Sequence, residues 1–344
     1  MKIGVIGSGV WGSNHARALA RLGALGGVAD SDPERSRQLA ENTLAPVLSA
    51  DAMLEDPVID GVVLALPPEL HASFALRVLN AGKHLLVEKP MALDAASAQA
   101  IVDLAKARRR TAMTGHLLRF HPAFEKLARL IKQRAFGALR HIETSRLALG
   151  KFYAATDALW DLAPHDLSLI LALTEAPAAS QRMECCSLLS AGMIDSAHLH
   201  LAFHDGVTAH CHISRLSPAR RERRLTAFCE QATLVFDDAE PWGRKLAIYS
   251  HLIEHGHDRP FAVSVGAAVY IDTPHDAPLD RELTHFLTCI ETGSTPISDV
   301  SEGLAVLQII ERLKTTSNVL SLRQGNSAAG LIAQGLVQPA AAAG

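Results

Sequence analysis

Residues 2–21 read KIGVIGSGVWGSNHARALAR. A short apolar run passes into Gly7-Ser8-Gly9-Val10-Trp11-Gly12, and an amphipathic stretch follows. Glycines at this spacing, between a strand and a helix, have separate jobs. Gly7 permits a tight turn, Gly9 removes a side chain where a pyrophosphate must approach, and Gly12 lets helix and strand close on each other. The helix that follows presents free N–H groups and the positive end of its dipole to phosphate. The pattern alone is weak; the strand before it and the helix after it make it a dinucleotide-binding fingerprint. Asp30 ends the next apolar run, 18 residues after Gly12. An acid there accepts the ribose hydroxyls and repels a 2′-phosphate, so NAD is expected rather than NADP. Arg35, close by, reads as a solvated helix residue.

Working outward, apolar runs alternate with helical patterns at 12–22, 33–41, 69–81 and 94–108, the last closed by TAMTG. This grammar predicts βαβ units and a parallel sheet covered on both faces. After about residue 120 it changes. A helix is expected over 122–133, a strand over 139–149 and a long apolar helix ending near 173. Successive strands follow: CCSLLSA, AHLHLAF, VTAHCHIS, RLTAFC, ATLVFD and KLAIYS. Two more helices are expected near 279–291 and 300–316. The fold class is therefore α/β: an N-terminal Rossmann dinucleotide-binding domain (1–118) and a C-terminal α+β domain (119–325) with an open, mostly antiparallel sheet. Residues 326–344 read as an Ala-rich tail.

The composition agrees. The chain has 344 residues, enough for two domains, with 48% hydrophobic and 20% charged residues. A net charge of −3 offers no basic surplus for nucleic acid. The first residues enter a strand at once, so no signal peptide is expected, and no run of about eighteen apolar residues suggests membrane insertion. Five cysteines without CxxC spacing fit reduced thiols in a cytoplasmic protein.

Two features outside the glycine loop carry chemistry. HLLVEKPM (84–91) ends a predicted strand at Glu88-Lys89-Pro90. Ligands of open α/β sheets bind beyond the carboxyl ends of strands, so Lys89 is placed near the cofactor's reactive end. LWDLAPHDLS (159–168) sets Asp161 four residues before His165, on one face of a helix. Pro164 requires the helix to begin close by, and Asp161 could cap it. The pair reads either as acid–base machinery, with His165 as base, or as a cap beside a satisfied buried histidine. A metal reading fails for want of ligands. His198, His200, His210 and His212 flank Asp205-Gly206, a two-residue hairpin turn that would put the first two histidines on one face and the last two on the other.

GVIGSGVWGSNH (4–15), LALPPELHASFA (64–75), AGKHLLVEKPMA (81–92), GHLLRFHP (115–122) and WDLAPHDLS (160–168) together resemble the Gfo/Idh/MocA family of NAD(P)-dependent sugar oxidoreductases. The resemblance covers nearly the whole chain. It implies an enzyme in which Lys89, Asp161 and His165 are catalytic. It implies cofactor contacts from Gly7, Gly9, Val10, Trp11, Gly12, Asp30, Leu66, Pro67, His71, Glu88, Lys89, Pro90 and Arg119. Trp160 and Arg119 would border the substrate cleft. Many members pair through the second sheet, so a homodimer or homotetramer is expected.

LSPARRERRLTAFCEQATLVFDDAEP (216–241) resembles sugar-nucleotide members, which oxidise the C3 hydroxyl of UDP-N-acetylglucosamine. Their 3-keto product feeds a PLP-dependent aminotransferase in 2,3-diamino-sugar lipid A synthesis. Cys229-Glu230-Gln231 departs from the glycine-containing turn of that segment. A nucleotide sugar needs cations for its diphosphate, and Arg146, Arg220, Arg221, Arg223 and Arg224 are candidates; a solvated strand edge is the plainer reading of the arginine run. Oxidation of a free polyol or aldose such as inositol, and a non-catalytic NAD-binding sensor, remain alternatives.

Overall fold

The structure is a computed structural model that describes residues 1–150, 156–174, 176–188, 192–218, 221–254 and 262–321. Arg220 and the expected tail, 326–344, lie outside the described residues.

The first part of the chain contains β1 (Ile3–Ile6), α1 (Val10–Arg21), β2 (Leu25–Ala29), α2 (Pro33–Thr43), α3 (Ala50–Glu55), β3 (Gly61–Leu64), α4 (Pro68–Asn80), β4 (His84–Glu88), α5 (Ala95–Arg108) and β5 (Ala112–Gly115). The strands are all parallel, in the order β2-β1-β3-β4-β5. Sequence order reverses at β1, so a crevice opens beyond its carboxyl end, and the glycine loop lies there. Every residue of β1, β3 and β5 is buried, as expected for a sheet covered on both faces. Local chemistry sets the helix starts: Asp32 caps α2 ahead of Pro33, and Asp94 caps α5 through the Ser97 N–H. The sequence reading missed α3, whose six residues are too short to show a helical period.

A 3₁₀ turn (Leu117–Phe120) leads to α6 (Pro122–Lys132), β6 (Leu139–Leu147), α7 (Ala158–Leu173), β7 (Ala178–Ser187), β8 (Ser196–Phe203), β9 (Thr208–Ser214), β10 (Glu222–Cys229), β11 (Ala232–Asp237), β12 (Leu246–Glu254), β13 (Ala262–Val265), β14 (Val269–Tyr270), α8 (Pro278–Thr292), α9 (Val300–Thr315) and β15 (Ser317–Ser321). The strands form a second sheet in the order β13-β12-β11-β10-β6-β9-β8-β7-β15, with β14 on β12. Among the described strands of this second sheet, only β6–β9 and β7–β15 pair in parallel. Strict alternation places Ala197, Leu199, Leu201 and Phe203 of β8 in the core, on the face covered by α7. The last helices return to the first sheet. Leu283 and Phe286 of α8 share a buried cluster with Ile3, Leu19 and Val63, and α9 packs along α5.

Three expectations need correction. The strand at CCSLLSA lies earlier, at 178–187, because alternating burial (Met183, Cys185, Ser187) extends through polar residues that hide it from an apolar-run search. β13, β14 and β15 were not expected at all. The hairpin at Asp205-Gly206 has a three-residue loop: Phe203 pairs with Val207, and Gly206 takes φ +85°. That one-residue change reverses the face parity. His198 therefore pairs with His212, and His200 with His210, on one outer face. Their rings stack at 4.1 Å and 4.8 Å. The stack makes no ligand set; among the described residues no group of three or more His, Cys, Asp or Glu is placed to hold a metal. No described helix is long and apolar enough to cross a membrane.

Beneath the second sheet, Arg215 is ion-paired with the fully buried Asp195 at 2.6 Å. Removing Asp195 takes away the buried carboxylate that both Arg215 and the Leu188 N–H bond. Asp195→Ala is expected to cost about 3–5 kcal/mol, read as a shift in the urea midpoint; a loss below about 1 kcal/mol would show the pair to be solvated.

Candidate active site

The glycine loop is built as its spacing requires. Gly7 has φ +102°, and a Cβ there would overlap the Ala65 carbonyl. A Cβ at Gly12 would overlap the Gly7 carbonyl oxygen, so α1 sits against the loop only without one. A Cβ at Gly9 meets nothing within 4 Å. Gly9 is also the N-cap of α1 and supplies no side-chain cap, so that open space lies over uncapped helix N–H groups. Asp30 accepts the Ser8 N–H at 2.5 Å and the Asp32 N–H at 2.8 Å, which holds its carboxylate beside the loop. Arg35 is exposed and paired with Asp32 at 3.3 Å. Val10 and Trp11 project from the loop into solvent. Leu66 and Pro67 join β3 to α4 at the same end of the sheet.

The end of β4 is braced from below. The Lys89–Pro90 peptide is cis. His71, buried on α4, bonds the Pro90 carbonyl through Nδ1 at 2.7 Å. Its place is therefore behind the turn, supporting it. Glu88 is buried with its carboxylate 2.8 Å from His15 Nε2 on α1. Burial alone would raise its pKa, but the His15 hydrogen bond and positive neighbours, Lys89 among them, hold it below the ordinary glutamate value. Glu282 on α8 is buried near it, with Oε1 unpartnered, and its pKa is driven well upward by burial and then by the charge of Glu88. The two carboxyls are thus split into one ionised and one protonated group.

Lys89 reaches across to α7. Its Nζ donates to both the carbonyl and the Oδ1 of Asp161, each at 2.8 Å. Asp157, not Asp161, caps this helix, accepting the Trp160 N–H at 3.1 Å. Asp161 is therefore free to hold Lys89. Pro164 is the seventh residue of α7, past the first turn where it was expected. It removes the N–H that would bond the Trp160 carbonyl. His165 follows one turn after Asp161, with its Nδ1 buried and unpartnered, so it is not the satisfied core histidine of the plainer reading. Burial first, then the charges of Lys89 and Arg146, push its pKa well below 6.5. At neutral pH its imidazole is neutral.

Lys89, Asp161 and His165 share a cavity of ≈ 220 Å³ with Trp11 and a wall of arginines. Arg146 lines it but is locked by two bonds to Asp166, at 2.8 Å and 2.9 Å. Four expected substrate-side residues do not line the cavity, among them Arg221, which is exposed. Trp160 is in the core, with the Lys314 ammonium 5.6 Å from its ring; one residue before Asp161, it points about 100° round the helix from the cavity. Arg119 does not line the cavity and is held by Glu302 of α9 at 2.7 Å. Arg224 alternates to the outer face and pairs with Asp237. The sequence reading also missed His15, Ser214, Arg215 and Glu282. Of these only His15 left a signal: with Gly12, Ala16 and Leu19 it continues the buried stripe of α1 behind the loop.

Comparison with known proteins agrees with this geometry. The Gfo/Idh/MocA family model, described as an oxidoreductase family with an NAD-binding Rossmann fold, matches residues 1–116. The Gfo/Idh/MocA C-terminal domain model matches 124–235. UDP-N-acetylglucosamine 3-dehydrogenase of Acidithiobacillus ferrooxidans is 35% identical over 227 residues, 65% of this chain and 70% of that protein. The solved structure of that enzyme, GnnA, superposes with a TM-score of 0.81 at 29% identity, covering 92% of this chain and 97% of the other. An inositol 2-dehydrogenase of Rhizobium meliloti is 25% identical over 332 residues, 90% of this chain and 95% of its own. The chain belongs to the Gfo/Idh/MocA oxidoreductase family and uses NAD. The residues fit that cofactor: the open space at Gly9 would hold the pyrophosphate, and Asp30 would accept from the adenosine ribose hydroxyls.

Gly9→Ala adds a Cβ that meets no protein atom within 4 Å, so its melting temperature is expected to match wild type. NAD affinity should fall at least about tenfold, or ~1.4 kcal/mol, by calorimetric titration; wild-type affinity would place the cofactor elsewhere.

Proposed function

We propose that this protein oxidises the C3 hydroxyl of UDP-N-acetylglucosamine to the 3-keto sugar nucleotide. The observation that carries the chemistry is the juxtaposition of the Lys89–Asp161 pair with a neutral, unpartnered His165. The substrate rests on the similarity to the Acidithiobacillus enzyme across nearly the full fold.

NAD, when bound, accepts the hydride from the alcohol carbon. The chain's own residues handle the proton and the charge. His165, held neutral by burial, takes the hydroxyl proton. Lys89, oriented by two bonds to Asp161, donates to the same oxygen and stabilises the negative charge that develops there. The contacts support this division of labour: Lys89 is occupied as a donor, while His165 has an unpartnered nitrogen. The 3-keto product is a substrate for a PLP-dependent aminotransferase, which would draw an uphill oxidation forward. Assembly into a homodimer or homotetramer through the open sheet, and a cytoplasmic site of action, complete the reading.

The test is NADH formation from NAD and UDP-N-acetylglucosamine, with glutamate and an aminotransferase removing the ketone. Lys89→Ala and His165→Ala should each lower the rate about 10²–10⁴-fold. No turnover by protein that still binds NAD would overturn the substrate. A second reading, oxidation of a free polyol, is favoured by the full-length similarity to an inositol dehydrogenase; it predicts turnover of inositol and no protection by UDP.

The pH profile checks the base. With its pKa well below 6.5, His165 stays deprotonated as pH falls through 6.5. The acid limb of kcat/KM should therefore appear only below that value. Lys89→Met removes a charge that depresses His165 and should move the limb upward. The same sign applies to stability. The unfolded histidine binds its proton near 6.5 and the folded one resists it, so this contribution is present above 6.5 and lost as pH falls below. His165→Leu should flatten that part of the melting-temperature profile.

A further inference from the structure

The cations around the cavity are not equally engaged. Lys89 is paired with Asp161, Arg146 with Asp166 through two bonds, and Arg215 with Asp195. Arg223 differs. Its carboxylate, Asp238, lies 3.3 Å away and is shared with Lys245, which also binds the Asp238 carboxylate at 3.2 Å and its carbonyl at 2.6 Å. One carboxylate thus serves two cations. The remaining acids of the wall are occupied: Asp157 caps α7, and Glu222 accepts the Ser145 hydroxyl at 2.7 Å. Arg223 is therefore the least firmly paired cation of the wall.

Exposure separates the same residues. The side chains of Arg146 and Arg215 are 9% and 7% exposed, that of Arg223 38%. Arg223 sits directly opposite Arg146 in the β10–β6 ladder, and the Asp166 that locks Arg146 adjoins His165. Arg223 is thus the guanidinium at the mouth, one strand out from the catalytic base. Burial, and then the charges of Arg221 and Arg146, disfavour its charged form, a cost that an arriving anion relieves. The cavity's ≈ 220 Å³ falls below the several hundred that hold a drug-sized ligand. It takes a sugar ring and leaves attached phosphates at the mouth.

We propose that Arg223 binds the diphosphate of the substrate and is the residue that selects a nucleoside-diphosphate sugar over a free sugar. The assignment rests on the nucleotide-sugar reading above and adds to it a specificity-determining residue. A guanidinium suits the task because its planar fork grips two phosphate oxygens at once.

The experiment titrates UDP, and uridine as control, into NAD-loaded wild type, Arg223→Gln and Arg223→Met by calorimetry. KM and kcat for UDP-N-acetylglucosamine are measured in parallel. Either variant that still binds NAD like wild type should lose about ten- to a hundredfold in UDP affinity. Its KM should rise by a similar factor, with kcat nearly unchanged and uridine binding unaffected. Wild-type UDP affinity in a folded variant overturns the assignment and leaves the nucleotide-sugar reading standing. Wild-type protein that binds NAD but not UDP overturns both. A fall in kcat without a change in UDP affinity assigns Arg223 to the chemistry and also overturns the proposal.

Discussion

The ion pair between Lys89 and Asp161 joins the two halves of the molecule at the candidate active site. Lys89 ends a strand of the parallel sheet; Asp161 belongs to the helix that covers the second sheet. Two hydrogen bonds from one ammonium tie the end of β4 to α7. Much of the neighbouring structure keeps that contact in place. His71 bonds the carbonyl of Pro90, Glu88 is anchored to His15 behind the glycine loop, and α8 and α9 return to close the first sheet.

The site is also ordered by charge. Buried carboxylates engage most of the cations, so the cavity can be rich in arginine without forcing guanidinium groups together. His165 is the beneficiary: burial and the surrounding positive charge hold its pKa well below 6.5 and favour the neutral imidazole. Glu88 and Glu282 apply the same logic in reverse, since two buried carboxyls in one another's field cannot both be ionised at low cost. Burial and neighbours, rather than residue type, decide which group carries charge.

Much of this was legible in the chain. The glycine loop, Asp30, the lysine after β4 and the Asp–His pair are local signals, and each lies in the element its spacing implied. The errors came where a single residue of register or a helix angle decides. One extra residue in the hairpin moved four histidines onto one face. Trp160 adjoins Asp161 in sequence yet lies in the core, because neighbours on a helix point in different directions. Pro164 proved compatible with a helix interior, as sequence rules do not foresee.

By itself the sequence determined the class of fold, the glycine loop and the candidates for the reacting side chains. Each of these depends on residues close together in the chain, where backbone geometry leaves few choices. Only the tertiary structure decided which partner each charge would find. Lys89 meets Asp161 across 72 residues, His15 meets Glu88 across 73, and Arg223 must share Asp238 with Lys245. Coulombic and desolvation energies depend on distance and burial in space, and chain position alone specifies neither.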